Sequence, residues 1–581
     1  MPAMKPTRCM THSQCMANQL SRQCNREHKH QPLVGNRCRD AAYYPPPLVK
    51  AILRGITLQS TEDKTFRQRP IAAMPMKFGR KGPSAGTEEQ YGPPTFSREY
   101  KVGGGEIPIK YEASNFKTQY TDEYTGEILD HKLLRAAMED ELNYFNDKVW
   151  QITTTEEMEK IKDYIITRSR WVLCNKGDSD KPDVRARLVA CELNNGDKND
   201  AFAASTPPLE AKRLLFARYV SEKYKDGKPL RLSFVDIRKA YFNAIPTRQI
   251  FMKVPKELGL PPNAIAKQVR CVYGTRDAGK LWEDCYTQVL EGMGVQDCFF
   301  EPMYLFHSSR DVSIVVHGGD FTALGLDEHL DWYEGELTKS STIKVRGRLG
   351  RECPGPQEIN TINRIVSVNE KGLKYEADPR QVEKLLEELD LDGDGVNGVV
   401  TPGVKPHAHQ IEAEKQLPES DHTKFRALAA RVNFLAADRP DIIYAAKEVC
   451  RFMSKPTDLA QQALTRPGRN LRKYQRLVYN FPRQTANCID VYSDTDWAGC
   501  VRTRKSTSGG CLMLGAHVLK TLSATQVSIA LSSGEAEYYG VVRAAGVGLG
   551  QQALFRDAGI QVPMRAWTDS SAAIGTAPRQ G

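Results

Sequence analysis

The chain has 581 residues, with 81 Lys and Arg against 71 Asp and Glu, a formal net charge of +10, and 40% hydrophobic residues. That length makes several domains the expectation, and the basic balance suits a partner with a phosphate backbone, where each neutralised phosphate adds salt-dependent affinity. No run approaches the ~20 apolar residues of a membrane span, and the N-terminus lacks the apolar segment of a secretory signal, so no membrane partner is expected.

In chain order, the first stretch holds Cys9, Cys15, Cys24 and Cys38 with His12, His28 and His30. Those are zinc-ligand types, but no pair has Cys-x2-Cys spacing. From Tyr43 to Glu106 the sequence is rich in Pro, Gly and basic residues, and residues 1–130 are expected to form a basic, disordered arm. Arg170 to Leu173 and Val184 to Ala190 read as two strands joined by a polar loop over Asn175 to Asp183. Arg185 and Arg187 alternate to one face, positioned for a template backbone or a triphosphate, although a solvated strand edge accounts for them equally well.

Leu230 to Asp236 reads as a strand entered through the turn signal Asp226-Gly227, with an acid at its end and Tyr241 five residues later. A polymerase needs such a strand-end acid to hold Mg²⁺ against a triphosphate, and an aromatic wall under the sugar to sense the 2′-hydroxyl. Val312 to Leu324 reads as a β-hairpin turning at Gly318-Gly319, with Asp320 just past the turn. Leu385, Leu386 and Leu389 then line one side of a charged helix. Asp390, Asp392 and Asp394 open with the spacing of an EF-hand loop, but its twelfth position is Thr401 rather than a bidentate Glu, so a solvated acidic turn is expected.

The last hundred residues hold three acidic islands in an alternation of strand, helix and strand: Asp494 and Asp496, Glu535 and Glu537, and Asp569. Val491 to Asp494 is β-prone, and Lys505 to Leu514 and His517 to Leu522 form two more predicted strands turning at Gly515-Ala516. Ser532 and Glu535 have capping-box spacing before the apolar-rich stretch Tyr538 to Phe555, which assigns Glu535 to the helix end and leaves Glu537 free for a metal. Asp569 follows the strand-like Met564 to Thr568; at that place an acid also suits a helix N-cap. Carboxylates at two strand ends and in the first turns of a helix can converge on paired Mg²⁺ ions that clamp a phosphodiester.

The stretches Ser493 to Gly499, Arg504 to Gly510, Leu531 to Gly540 and Trp567 to Gly575 resemble the ribonuclease H domain that ends a copia-type LTR retrotransposon Pol polyprotein. The resemblance extends back to about Asn143 through the strands around Arg170 and Arg187, the run Ala201 to Leu215, and the Tyr-Gly turn from Val272 to Trp282. It implies an α+β multidomain chain: a disordered N-terminal arm, reverse transcriptase fingers and palm over 140–380, thumb and connection over 381–485, and a mixed-sheet ribonuclease H-like α/β domain over 486–581. The implied activity is RNA-directed DNA polymerisation with ribonuclease H cleavage, by two-metal phosphoryl transfer. Its implied partners are an RNA template, a DNA primer, an RNA/DNA hybrid and deoxynucleoside triphosphates, in the cytoplasm, a virus-like particle or the nucleus.

By the same resemblance Asp236, Asp320, Asp494, Glu537 and Asp569 are the catalytic, Mg²⁺-binding carboxylates, Arg185, Arg187 and Tyr241 bind nucleotide or template, and Asp496 is a neighbour without a catalytic role. Three departures are visible. The family's paired-aspartate box reads His317, Gly318, Gly319, Asp320, so Gly319 stands where a bridging aspartate is usual; Asp277 stands where glutamine is usual, an anion beside the nucleotide site; and the family's next acid would lie beyond Gly581. Impaired polymerisation and a truncated last domain are therefore expected. The alternative is a decayed element that binds nucleic acid without catalysis.

Overall fold

The computed structural model describes residues 99–577, apart from 103–104, 109–112, 118, 124–125, 178–180, 194–201, 203, 206, 223, 226, 298–302, 352 and 354. The N-terminal Cys and His residues, most of the expected arm and Asp226 thus lie outside the described residues. Order begins earlier than the expected limit at 130. A hairpin joins Glu99–Val102 to Gly105–Pro108, and Phe116 and Leu129 are buried with Leu134, Met138, Leu173 and Ala186. Two apolar anchors a dozen residues apart suffice to pin a segment whose composition reads as linker.

A five-stranded sheet follows, in the order Trp150–Thr154, Ala264–Gln268, Gln249–Lys253, Tyr164–Asn175, Val184–Cys191. Along Val184–Cys191 the period of two buries Ala186, Leu188 and Ala190 and turns Arg185 and Arg187 outward, as the sequence predicts.

The central seven-stranded sheet is built on β1 (Lys228–Ile237), flanked by β3 (Asp320–Leu326) and β4 (Ile343–Leu349); β3 forms the predicted hairpin with β2 (Val312–His317). Alternate residues of β1 face two cores, so Leu230 to Val235 are buried without a break although Arg231 and Ser233 are polar. Leu230, Leu232 and Phe234 pack with α1 (Leu209–Ser221), whereas Val235 and Ile237 pack with Trp282, Leu330 and Tyr333. Helix α1 is buried along nearly its whole length although it carries Lys212, Arg213 and Arg218. Arg218 is offset by Asp311, Glu222 and Ser313, and Arg213 reaches Asp438.

A four-stranded sheet, Glu358–Thr361, Arg364–Asn369, Gly372–Ala377 and Val478–Pro482, encloses a helical insertion whose core includes Val382, Leu385, Leu386 and Leu428. The last sheet has the order β7 (His517–Thr525), β6 (Thr507–Leu514), β5 (Ile489–Asp496), β8 (Met564–Trp567), antiparallel except for the parallel β5 and β8 pair. Helix α2 (Ser533–Asp557) lies on one face, and α3 (Ser571–Thr576) follows β8. One continuous core joins α1, the four-stranded sheet and this C-terminal sheet, with Phe216, Tyr375, Phe481, Ile489, Leu512 and Phe555 among its members. Among the described residues, no helix is long and apolar enough to cross a membrane.

Candidate metal centre and central-sheet carboxylates

In β5 the odd residues Ile489, Val491, Ser493 and Thr495 are buried, while Asp494 faces out near the strand end. Glu537 sits in the second turn of α2, and Asp569 lies two residues past the end of β8. The parallel pairing of β5 with β8 brings the two strand ends level, and the helix supplies the third acid. One oxygen from each of Asp494, Glu537 and Asp569 lies within 4.8 Å of the other two.

The structure separates these acids from their neighbours by local hydrogen bonding. Ser532 caps α2 by accepting from the Glu535 amide (3.1 Å), while Glu535 accepts from the Leu531 amide (2.7 Å) and the Tyr539 hydroxyl (2.8 Å). Glu535 is thus consumed at the helix end, one amide earlier than a capping box requires. Asp569 is not a cap: Ser570 accepts from the Ala573 amide (3.2 Å) in that role. Asp496 is paired with Lys405 at 3.2 Å.

Glu537 accepts the Thr495 amide at 3.2 Å through Oε1, and its Oε2 is buried without a partner. Burial, then the charge of Asp494, then that of Asp569, raise its carboxyl above the usual range. An orphaned carboxylate oxygen beside two further acids is what a hard divalent cation satisfies, so the donor set fits Mg²⁺. Gln526, which the sequence reading missed, binds the first turn of α2 to β6 through the Ala536 carbonyl (2.8 Å) and Ser508 Oγ (3.0 Å). It precedes an exposed apolar loop carrying Val527, Ile529 and Leu531.

The second pair lies on the central sheet, where Asp320 of β3 is directly opposite Asp236 of β1. The hairpin turns on Gly318 (φ +61°); its carbonyl accepts from Trp282 Nε1 at 2.9 Å, and the Gly319 carbonyl accepts from the Ile237 amide at 2.8 Å. Between the two acids stands Arg346, one Nη2 lying 3.2 Å from Asp236 Oδ1 and 3.0 Å from Asp320 Oδ1. The residue is there because β4 is irregular: Val345 pairs with Val235 and Gly347 with Phe234, so Arg346 is the extra residue of a β-bulge. Lys212 is buried nearby with an unpartnered Nζ, and burial lowers its ammonium to about 8. Burial raises the Asp320 carboxyl, against the pull of Arg346.

The remaining expected residues scatter around this sheet. Arg185 is ion-paired with Asp183 at 2.7 Å, and Arg187 lies over the Tyr273 ring at 5.8 Å. Tyr241 stacks on that same Tyr273 ring, with centroids 4.5 Å apart. Asp277 is not a free anion at a nucleotide site: it is buried and chelated by Arg248 (2.5 and 2.7 Å), which also grips Glu192 (2.7 and 3.0 Å). In the acidic turn, the carbonyl of Val396, seventh from Asp390, accepts from Arg472 (3.0 Å), and Thr401 accepts from Arg466 (2.8 Å). A calcium loop would need both positions, so the calcium reading fails.

No family model matches the chain. It is 24% identical over 392 residues to the retrovirus-related Pol polyprotein from transposon RE2 of Arabidopsis thaliana, covering 65% of this chain and 25% of that protein. Against the corresponding polyprotein from transposon TNT 1-94 of Nicotiana tabacum it is 22% identical over 434 residues, 71% of this chain and 31% of that protein. The chain thus spans between a quarter and a third of the length of these relatives. Among solved structures, a foamy viral protease-reverse transcriptase in complex with RNA/DNA hybrid aligns with a TM-score of 0.39 at 11% identity, covering 81% of this chain and 53% of that one.

Proposed function

We propose that this chain, a homologue of the retrovirus-related Pol polyproteins of plant transposons, cleaves the RNA strand of an RNA/DNA hybrid at Asp494, Glu537 and Asp569. The observation that carries this reading is the convergence of the three acids, one oxygen of each lying within 4.8 Å of the other two, together with the unpartnered Oε2 of Glu537. Mg²⁺ bound there supplies Lewis-acid activation of a water and stabilisation of the leaving oxygen. The Thr495 amide holds Oε1 of Glu537 and so fixes the carboxylate against the end of β5, leaving Oε2 without a protein partner. Asp494 and Asp569, at the ends of adjacent parallel strands, complete the donor set on a rigid edge.

In this reading residues 486–581 are the ribonuclease H-like module, 381–485 the thumb and connection, and 140–380 the fingers and palm of an RNA-directed DNA polymerase. An RNA template, a DNA primer and deoxynucleoside triphosphates are the corresponding partners, with Arg185, Arg187 and Tyr241 along their path. Gly319 and the Arg346 bridge favour a second reading for the palm alone: it binds nucleic acid without extending a primer.

The test is cleavage of a labelled RNA strand in an RNA/DNA hybrid by the full chain. Mg²⁺-dependent cleavage is expected, with Asp494→Asn and Glu537→Gln each lowering the rate by about a hundredfold or more, and Glu535→Gln leaving most of it. Cleavage that survives both substitutions, or that proceeds in chelator, would sink the assignment.

A further inference from the structure

We propose that Arg346 is a resident cation that closes the Asp236 and Asp320 pair to divalent metal. The central sheet thereby keeps a polymerase-like carboxylate pair in a metal-free form. This rests on different atoms from the nuclease reading and stands or falls separately from it.

Three observations carry it. The bridging Nη2 is within hydrogen-bond range of both acids at once, so one guanidinium nitrogen takes the position from which an ion would contact the two. Arg346 is delivered there by the β4 bulge, because a regular ladder has no place for the extra residue that reaches the acids, and its Nη1 is further held by the Asn360 carbonyl at 3.4 Å. Finally, the donor set is poor. The hairpin offers Gly318 and Gly319 beside Asp320, and among the described residues only the C-terminal acids form a group of three or more metal-ligating side chains. An Mg²⁺ ion arriving here must shed water, find near-octahedral geometry on two carboxylates and displace a guanidinium ion-paired with both of them. A buried second cation, Lys212, lies within electrostatic reach of Asp320 and adds to the repulsion.

The competing view is that Arg346 only fills the gap until an ion arrives. The two are separated by Mn²⁺ binding, followed by electron paramagnetic resonance, in a full-length Asp494→Asn, Asp569→Asn background that silences the C-terminal acids. With Arg346 intact, no Mn²⁺ bound by Asp236 is expected at millimolar concentration. Arg346→Leu should raise affinity at least tenfold, and adding Asp236→Asn should abolish the gain. Arg346→Gln, polar but uncharged and two bonds shorter, must behave like Arg346→Leu and serves if the latter does not fold by circular dichroism. Mn²⁺ bound with Arg346 in place and lost on Asp236→Asn overturns the proposal. So does a folded Arg346→Leu or Arg346→Gln chain that gains no affinity.

Discussion

His517 shows how a single buried side chain sets a pH limit. Its Nε2 lies 2.7 Å from the Pro482 carbonyl, which assigns the proton to that nitrogen, and Nδ1 is buried without a partner. Burial holds its pKa below the ordinary 6.5, against the pull of the Pro482 carbonyl. The unfolded chain therefore binds a proton that the folded chain resists. The stability from the neutral ring is fully present above pH 6.5 and is lost as pH falls toward the folded value, at up to about 1.4 kcal/mol per pH unit. Thermal midpoints should fall between pH 7 and 5, and His517→Gln should flatten part of that fall; identical profiles would refute the assignment. At this scale the sequence is readable where the role is set by adjacent residues. Ser532 and Glu535 identify each other across one helical turn, leaving Glu537 over. Asp277 misleads because its neutralising partner, Arg248, is 29 residues distant and nothing local announces it.

Helix α2 reaches the metal centre because its inner face is almost bare. Ala536, Gly540, Ala544 and Gly548 recur every four residues and are all buried. A Cβ on Gly540 would press on Thr495 Oγ1 and lie 3.1 Å from Ser493 Oγ, and one on Gly548 would sit 2.7 Å from Val491 Cγ2. Gly546, on the outer face, has open space around it. Gly540→Ala should therefore destabilise the chain by about 1–3 kcal/mol and lower hybrid cleavage, because Glu537 is one turn away. Gly546→Ala should instead stabilise it by about 0.5–1 kcal/mol. Denaturant midpoints of the pair decide it; equal effects would mean that helix propensity, not the close approach to β5, governs both. The helix is legible in the sequence from its cap and apolar content. The bare stripe is not, because a glycine's purpose lies in what stands opposite, and that is a property of the packed sheet. The β4 bulge is hidden for the same reason: alternation in Lys344, Arg346 and Arg348 reads as an ordinary solvated strand.

Among the described residues, the three segments expected as polymerase, connection and ribonuclease H-like domains contribute to one core, and Asp438 is a junction beside it. This buried acid accepts from Arg364 (2.8 Å), Arg213 (3.4 Å) and the Tyr375 hydroxyl (2.7 Å), while Arg213 also reaches the Leu519 carbonyl (3.2 Å) in the C-terminal sheet. Removing it strands two buried guanidinium groups. Asp438→Ala should cost about 3–5 kcal/mol, with the central and C-terminal sheets melting in one calorimetric transition. Two transitions, only one of them shifted, would show that the shared core does not couple them. Composition and motif order predict the succession of segments, but a core assembled from residues 216, 375, 481 and 555 has no signature in any one stretch of chain.

The irregularity in β4 has a meaning in genetic terms. Because Val345 and Gly347 already pair with consecutive residues of β1, Arg346 is supernumerary to the ladder. Deleting its single codon would leave the neighbours in register and take the guanidinium away from both acids in the same event. The difference between a sealed and an open carboxylate pair in this chain is thus three bases, an in-frame length change rather than a substitution.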